Sequence, residues 1–364
     1  MSAKKYRAAA MGRTGRGNYG HSLHLAYKGL ENVDFIAVAD PDDAGREKAR
    51  AETGAQRSYA DYRDMLAKED LDIVSVCPRW VDCHLEMVIA CIEAGCHVYC
   101  EKPIAMSLED GDAMVEAADN AGLKIAVAHQ GVYLPGVQKI KSMLDEGKIG
   151  QVQAIHAHGK QDRRGGGEDM IVLGTHLFNM MRYFVGDVAW MFAHVTSNGH
   201  EITPDDVREA TEPVGLIAGD CINSYFAFTS GVDGFFNSRR DQESGWYGME
   251  ITGSEGMISL RGGTASNTAI YTYPLWDPTN TSQKWELMEL DDTHLYTGNQ
   301  LAIVDLIDAI ENNRKPLSSG RDAVAALEMI LGTYESQITD KRVTFPMENR
   351  KHPLARFRLS GGRS

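Results

Sequence analysis

Short apolar stretches alternate with amphipathic ones along the first third of the chain. Residues 8–11, 35–39, 73–77, 97–100 and 125–128 are dense enough in Ala, Val, Ile and Cys to read as strands buried on both faces. The alanine-rich first strand is marked chiefly by the glycines that follow it. Asp40-Pro41 ends the second strand and Pro78 stops the third. Leu85, Val88, Ile89 and Ile92 then share one helical face, which ends at Gly95. Ser107 and Asp110 stand at capping-box spacing and open a helix that runs to Gly122. Strand–helix units of this length predict a parallel sheet with right-handed crossovers.

The period changes near residue 150. Val152–His158 alternates, and Cys221–Phe228 with residues 234–238, 247–252, 257–260 and 270–273 are short strands separated by Gly, Ser, Asp and Asn. This predicts a mostly antiparallel sheet. A helix near residues 175–183 interrupts it. Two late helices follow: one sets Leu301, Val304, Ile307 and Ile310 on a common face, and the other covers 323–334. Residues 359–364 read as a loose tail. A chain of 364 residues favours two domains. The change of period divides them as 1–128 and 129–364, with the late helices free to pack back on the first.

Composition narrows the function classes. With 37 Lys and Arg against 51 Asp and Glu, the net charge is −14, which argues against a broad nucleic-acid surface. An anionic cofactor stays compatible, because backbone N–H groups bind phosphate locally. No apolar run is long enough to span a membrane, and no signal core opens the chain, so a cytoplasmic protein is expected. Five of the six cysteines lie between Cys77 and Cys100, with His84 and His97 among them, but none has metal-ligand spacing. Reduced, mostly buried thiols are expected, and no metal.

The turn after the first strand reads Gly12-Arg13-Thr14-Gly15-Arg16-Gly17. It matches the dinucleotide fingerprint G-x-G-x-x-G at Gly12 and Gly17, with Thr14 at the middle position and Gly15 beside it. The first glycine permits the tight turn and the last permits close helix–strand packing, while the Thr14 hydroxyl is placed to donate to a phosphate. Asp40, ending the second strand, is positioned to accept hydrogen bonds from ribose hydroxyls. It would repel a 2′-phosphate, and Pro41-Asp42-Asp43 adds no cation, so NAD is expected rather than NADP. After the strand His97-Val98-Tyr99-Cys100 comes Glu101-Lys102-Pro103, which puts a cation at a strand end where α/β folds bind ligands.

Together these residues resemble the glucose–fructose oxidoreductase, inositol dehydrogenase and rhizopine-catabolism family, Gfo/Idh/MocA. The resemblance is carried by Cys77-Pro78-x₅-His84, Ala94-Gly95, His97-Val98, Glu101-Lys102-Pro103, Gly147-Lys148-Ile149-Gly150 and Gly174-Thr175-His176. It implies an α/β fold: an N-terminal Rossmann domain and a C-terminal α/β domain with a large, mostly antiparallel, open-faced sheet. That sheet commonly mediates homodimer or homotetramer contacts in the family. The implied reaction is NAD(H)-dependent hydride transfer at a secondary hydroxyl of a sugar, sugar derivative or cyclitol.

Under this reading Lys102 and His176 are the catalytic pair. A histidine takes a proton at neutral pH, and a lysine stabilises developing alkoxide charge. Gly12, Thr14, Gly15, Gly17, Asp40, Pro78, His84, Glu101 and Lys102 are expected at the cofactor. Tyr133, His158, Arg163, Arg164 and Asn179 are candidate substrate contacts, with Trp80, Arg239, Trp246 and Tyr247 as further possibilities. Arg163-Arg164-Gly165-Gly166-Gly167 reads as a mobile loop able to bind a carboxylate or phosphate, or as a solvated turn. The chain departs from the family pattern at Val172 and Asn179, where acidic residues are common, and at Gln130-Gly131-Val132-Tyr133-Leu134-Pro135. These departures, with His129 and His158 as extra candidate bases, leave open a glycoside-cleaving enzyme that oxidises a ring hydroxyl transiently. A non-catalytic NAD(H) sensor is a third reading.

Overall fold

The computed structural model describes residues 4–242, 246–262, 267–272, 285–290 and 294–361. The chain divides into two compact units. One comprises Met1–Gln130, Glu212–Gly215 and Tyr296–Val324; the other comprises Gly131–Thr211, Leu216–Leu295 and Ala325–Ser364.

The first unit is built on six parallel strands: β1 (Tyr6–Met11), β2 (Val33–Ala39), β3 (Arg57–Tyr59), β4 (Ile73–Val76), β5 (His97–Cys100) and β6 (Ile125–Val127). Their order is β3-β2-β1-β4-β5-β6, so the winding reverses between β1 and β4 and opens a crevice at the strand ends there. Ala8, Ala9 and Ala10 are fully buried, which explains how so weakly apolar a segment is a central strand. Asp42 caps the helix Asp43–Thr53 by accepting from the Gly45 N–H, and left-handed Gly54 closes it. Ser107 accepts from the Asp110 N–H at 3.2 Å, one half of the expected capping box. The strand β3 and the helix Tyr62–Lys68 are short and polar, and hydrophobic periodicity did not reveal them.

Two expectations are corrected in this unit. The glycine turn opens no α-helix: it leads to the 3-10 segment Gly20–Leu25, broken by left-handed His21 and Ser22. Gly17 therefore serves a different contact, since a Cβ there would lie 2.5 Å from the Trp80 N atom after β4. In the helix Leu295–Glu311 the buried residues include Ala302, Ile303, Leu306, Ile307 and Ala309, whereas Val304 is 47% exposed. A spacing of three drifts around a helix of 3.6 residues per turn, which carries Val304 off the packed face.

The second unit holds a ten-stranded sheet among the described residues. Its central strands run in the order Gly256–Arg261, Gly248–Gly253, Val152–His158, Asp233–Arg239, Cys221–Phe228 and Val188–Ser197. Val152–His158 and Asp233–Arg239 pair in parallel, and the other pairs are antiparallel. One face is packed: Phe226 and Phe236 lie 5.6 and 4.8 Å from Phe178 of the helix Gly174–Val185. The other carries a row in register across four strands, His156, Phe235, Tyr225 and Phe192. Of the proposed strand 270–273, Tyr273 lies outside the described residues. The expected tail is in part helical, because Pro353–Ser360 forms a helix closed by left-handed Gly361, while residues 362–364 lie outside the described set.

The glycine run 165–167 is a packed entry to a helix and not a mobile loop. Added Cβ atoms would meet the Arg239 carbonyl oxygen at 2.3 Å from Gly165, the Asp220 Cα at 2.6 Å from Gly166, and the Ala218 carbonyl oxygen at 2.4 Å from Gly167. Gly166 also has φ 88 and ψ −135, a region open essentially to glycine alone. Gly166→Ala is expected to cost at least about 2 kcal/mol in urea denaturation. Gly199→Ala, also at positive φ but with open space around it, should cost only about 1 kcal/mol. Equal costs at both positions would rule out the packing explanation.

Candidate active site

The crevice side of the first unit contains a cavity of about 340 Å³ at the ends of β1 and β2, lined by Gly12, Arg13, Asp40, Pro41, Tyr62 and Met87 among others. Asp40 is fully buried. Its carboxylate accepts from the Thr14 hydroxyl at 2.8 Å, from the Thr14 N–H at 3.1 Å and from the Asp42 N–H at 3.0 Å. The Thr14 hydroxyl is thus directed at Asp40 and not toward a phosphate, because the nearby carboxylate is the stronger acceptor. Gly12 has its own constraint, since a Cβ there would sit 2.1 Å from Cζ of Tyr19. Gly15 is exposed at φ 80, and its N–H donates to the Asn18 side chain at 2.9 Å. The neighbouring arginines are matched to carboxylates: Arg13 and Arg16 to Asp82, Arg46 to Asp43, and Arg63 to Glu86.

Past β5 the side chains converge on a buried carboxylate. Glu101 is fully buried and Lys102 nearly so, and the Lys102–Pro103 peptide is cis. His21 Nδ1 lies 2.6 Å from Glu101 Oε1, while Oε2 has no hydrogen-bond partner among the described residues. Burial alone would push this carboxyl up. The charge and hydrogen bond of His21, with the charges of Lys102 and His84, outweigh burial and hold it below its ordinary value. His84 and Pro78 act as braces in this arrangement. The His84 ring is fully buried, with Nε2 at 2.7 Å from the Pro78 carbonyl oxygen and Nδ1 at 3.1 Å from that of Ile104. Both nitrogens are engaged by backbone, so the expected direct contact of His84 with a cofactor gives way to bracing. His129 is likewise buried, with Nδ1 3.0 Å from the Ser318 hydroxyl.

Burial raises the thiols of Cys77, Cys91 and Cys100 well above their ordinary value, which leaves them protonated and unreactive.

In the second unit His176 lies in the first turn of the helix Gly174–Val185 and is partly exposed. One turn later, Asn179 is 3% exposed and its side-chain oxygen has no partner among the described residues. Residues three apart share a helix face, so this acceptor stands beside the histidine. Val172 is packed in the core and offers no group to a substrate. Tyr133 is buried, Arg163 and Arg239 are exposed, and Arg164 is bound to Asp162. The His158 ring lies 4.3 Å from that of Trp246 at a tilt of 46°, and burial lowers it below its ordinary value against the opposing charge of Glu250. Tyr247 donates to the Leu173 carbonyl at 3.1 Å.

Sequence reasoning missed Asp169, one helical turn before Val172 on the helix Gly167–Val172. It is fully buried; Oδ2 accepts from the Gln161 N–H at 3.0 Å and from the Ser238 hydroxyl at 2.6 Å, and Oδ1 has no partner among the described residues. Spacing to Val172 was the available signal.

Comparison with known proteins agrees with this geometry. Residues 11–129 match the model of the Gfo/Idh/MocA oxidoreductase family with its NAD-binding Rossmann fold, and residues 137–259 match the C-terminal domain of the same family. The chain belongs to that family and is an NAD-dependent oxidoreductase. It is 26% identical to D-apiose dehydrogenase of Paraburkholderia graminis over 99% of this chain and 95% of that one. It is 23% identical to myo-inositol 2-dehydrogenase of Thermotoga maritima over 87% and 92%. A solved levoglucosan dehydrogenase, in complex with NADH and levoglucosan, shares the fold with a TM-score of 0.77 at 19% identity, covering 94% of this chain and all (100%) of that one.

The residues present fit NAD. The cavity lies at the ends of β1 and β2 and holds the buried Asp40 carboxylate, whose charge disfavours a 2′-phosphate. Gly12, Arg13 and Asp40 would hold the adenosine half, with Glu101 and Lys102 on the far side of the crevice from β1.

The Asp169 carboxyl is pushed above its ordinary value of 3.8 by burial, against the hydrogen bonds from Ser238 and Gln161. A carboxyl raised by folding takes up protons as the chain folds. Its contribution is therefore fully present below the unfolded value and is lost as pH rises through the folded one. Asp169→Asn removes this dependence. Relative to wild type, the variant should gain stability as pH rises from about 4 toward 7, measured by urea denaturation at each pH. A gap independent of pH would contradict the assignment.

Proposed function

We propose that the chain transfers hydride between NAD and a secondary hydroxyl of a sugar or cyclitol, with Lys102 and His176 as the catalytic residues. The observation that carries this reading is the buried Lys102 beside an ionised Glu101, at the crevice of an NAD-binding sheet. Bound NAD supplies the hydride acceptor. His176, partly exposed, takes the hydroxyl proton, and Lys102 stabilises the negative charge developing on the oxygen. The free acceptor on Asn179 orients a neighbouring hydroxyl of the same ring. The names of its relatives, dehydrogenases of D-apiose and myo-inositol, support a polyhydroxylated substrate.

A second reading, transient oxidation followed by elimination, is supported by the apolar Val172. One experiment separates the two. The protein is incubated with NAD and a panel of sugars, cyclitols and glycosides while NADH absorbance and products are followed together. NADH accumulating with an oxidised sugar is the expected result; aglycone release without NADH would favour elimination. Lys102→Met and His176→Ala are each expected to lower turnover at least ~10²-fold while the far-ultraviolet circular dichroism stays unchanged. Wild-type turnover in both would sink the site assignment.

The open face of the second sheet is the proposed contact between copies of this chain. Trp190, Tyr225, Phe235 and His156 form a continuous run of rings, 4.3 to 5.4 Å between successive centroids, with Phe192 44% exposed beside them. An apolar aromatic face of this kind is rare on a monomer surface. Phe192→Glu combined with Tyr225→Ala should shift the sedimentation coefficient toward that of a monomer. An unchanged coefficient in the double variant would remove this face from the assembly.

A further inference from the structure

Two consecutive non-glycine residues in the left-handed region stand just after the glycine turn: His21 at φ 43, ψ 22, and Ser22 at φ 57, ψ 38. L residues hold such a conformation only where the surroundings over-determine it. Here they do. The His21 carbonyl accepts from Asn299 Nδ2 at 2.8 Å, and Asn299 Oδ1 accepts from the Tyr99 hydroxyl, also at 2.8 Å. Tyr99 lies on β5, two residues before Glu101. The Gly20 N–H donates to the Cys77 carbonyl at 2.8 Å, and a Cβ at Gly20 would lie 3.1 Å from the Glu101 carboxyl carbon. The strained segment is thus tied on one side to Cys77 at the end of β4 and on the other, through Asn299, to the strand that leads into Glu101.

The outcome of this bracing is one contact. His21 Nδ1 sits 2.6 Å from Oε1 of a carboxylate with no solvent exposure, while the imidazole itself keeps 29% of its side-chain surface open. Glu101 Oε2 is buried and has no partner among the described residues, so His21 is the hydrogen bond that this carboxylate shows. A buried carboxylate that loses its hydrogen-bond donor takes up a proton more readily, and its hold on the neighbouring Lys102 weakens.

We propose that His21 is a positioning residue for the reacting lysine: its imidazole anchors and orients the Glu101 carboxylate, and Glu101 in turn aims Lys102. This rests on the reading of Lys102 given above. Among the described residues, charged and titratable groups set near Glu101 besides His21 include Lys102, His84, the thiols of Cys77 and Cys100, and Arg79, which pairs with Glu212 at 2.5 Å. His21 is the member of this set that gives Glu101 a hydrogen bond and reaches solvent as well.

The test uses the full-length protein with NAD as the only ligand. The Glu101 carboxyl is followed by ¹³C NMR, assigned with Glu101→Gln, in wild type, His21→Asn and His21→Ala. His21→Ala is expected to move the Glu101 midpoint up by about one pH unit or more, and His21→Asn, which keeps a hydrogen-bond donor, by less. An unmoved midpoint in His21→Ala overturns the proposal. In turnover, with whichever of D-apiose, myo-inositol or levoglucosan yields NADH, His21→Ala should lower kcat at least ~10-fold and shift the acidic limb of its pH profile upward, leaving KM for NAD within about threefold. A fall in kcat with no shift of that limb means a purely structural role and also overturns it. Lys102→Met separates the two readings. Retained turnover there defeats the lysine assignment itself, whereas lost turnover with a wild-type profile in His21→Ala defeats only the role of His21.

Discussion

A carboxylate with no access to water must be compensated where it lies, and Glu101 imposes that requirement on the first unit. Its position after β5 brings it to the crevice of the parallel sheet, beside Lys102. Its hydrogen bond comes from His21, joined by the charges of Lys102 and His84, and His21 stands on a left-handed backbone outside helix geometry. The α-helix that usually follows a dinucleotide turn is therefore replaced by a broken 3-10 segment. Asn299, from the late segment of the chain that belongs to this unit, fastens the arrangement by bonding both His21 and Tyr99. The site and the departure from regular structure have one cause.

The second unit obeys a different constraint. Its sheet packs one face against the helix Gly174–Val185 and leaves the other aromatic, so each strand alternates between core and open surface. His176 is presented by a helix whose entry is held from below. The glycine run packs directly on neighbouring backbone, and Asp169 bonds Gln161 and Ser238 across the chain that leads to it. Rigidity before the histidine suits the proton transfer proposed for it, which depends on a fixed donor–acceptor geometry. Val172 contributes packing there.

Much of this was legible without coordinates. Buried strands announce themselves by continuous apolar runs and half-buried ones by alternation, so β4, β5, Val152–His158 and Cys221–Phe228 were found within a residue or so. Periodicity was silent on β3 and the helix Tyr62–Lys68, whose residues are polar and whose existence depends on what they pair with. It misplaced Val304, because a spacing of three fits a helical face only over a short stretch. The glycine run read as a loose loop because glycine signals freedom and close approach alike; only the neighbours at 218–220 and 239–240 decide between them.

From its sequence alone the chain determined its fold class, the glycine-rich turn 12–17 after the first strand, the acidic Asp40 at the end of the second, and a lysine set directly after a strand. Those properties follow from local order: strand periods, glycine spacing, and a cation directly after a strand. Tertiary structure alone decided which groups are spoken for. It turned Thr14 toward Asp40, closed both nitrogens of His84 on backbone carbonyls, and brought His21 and Asn299 to a carboxylate and a strand far away in sequence. Burial and hydrogen bonding between distant segments have no local signature, because they depend on how the elements pack and not on the order in which residues are written.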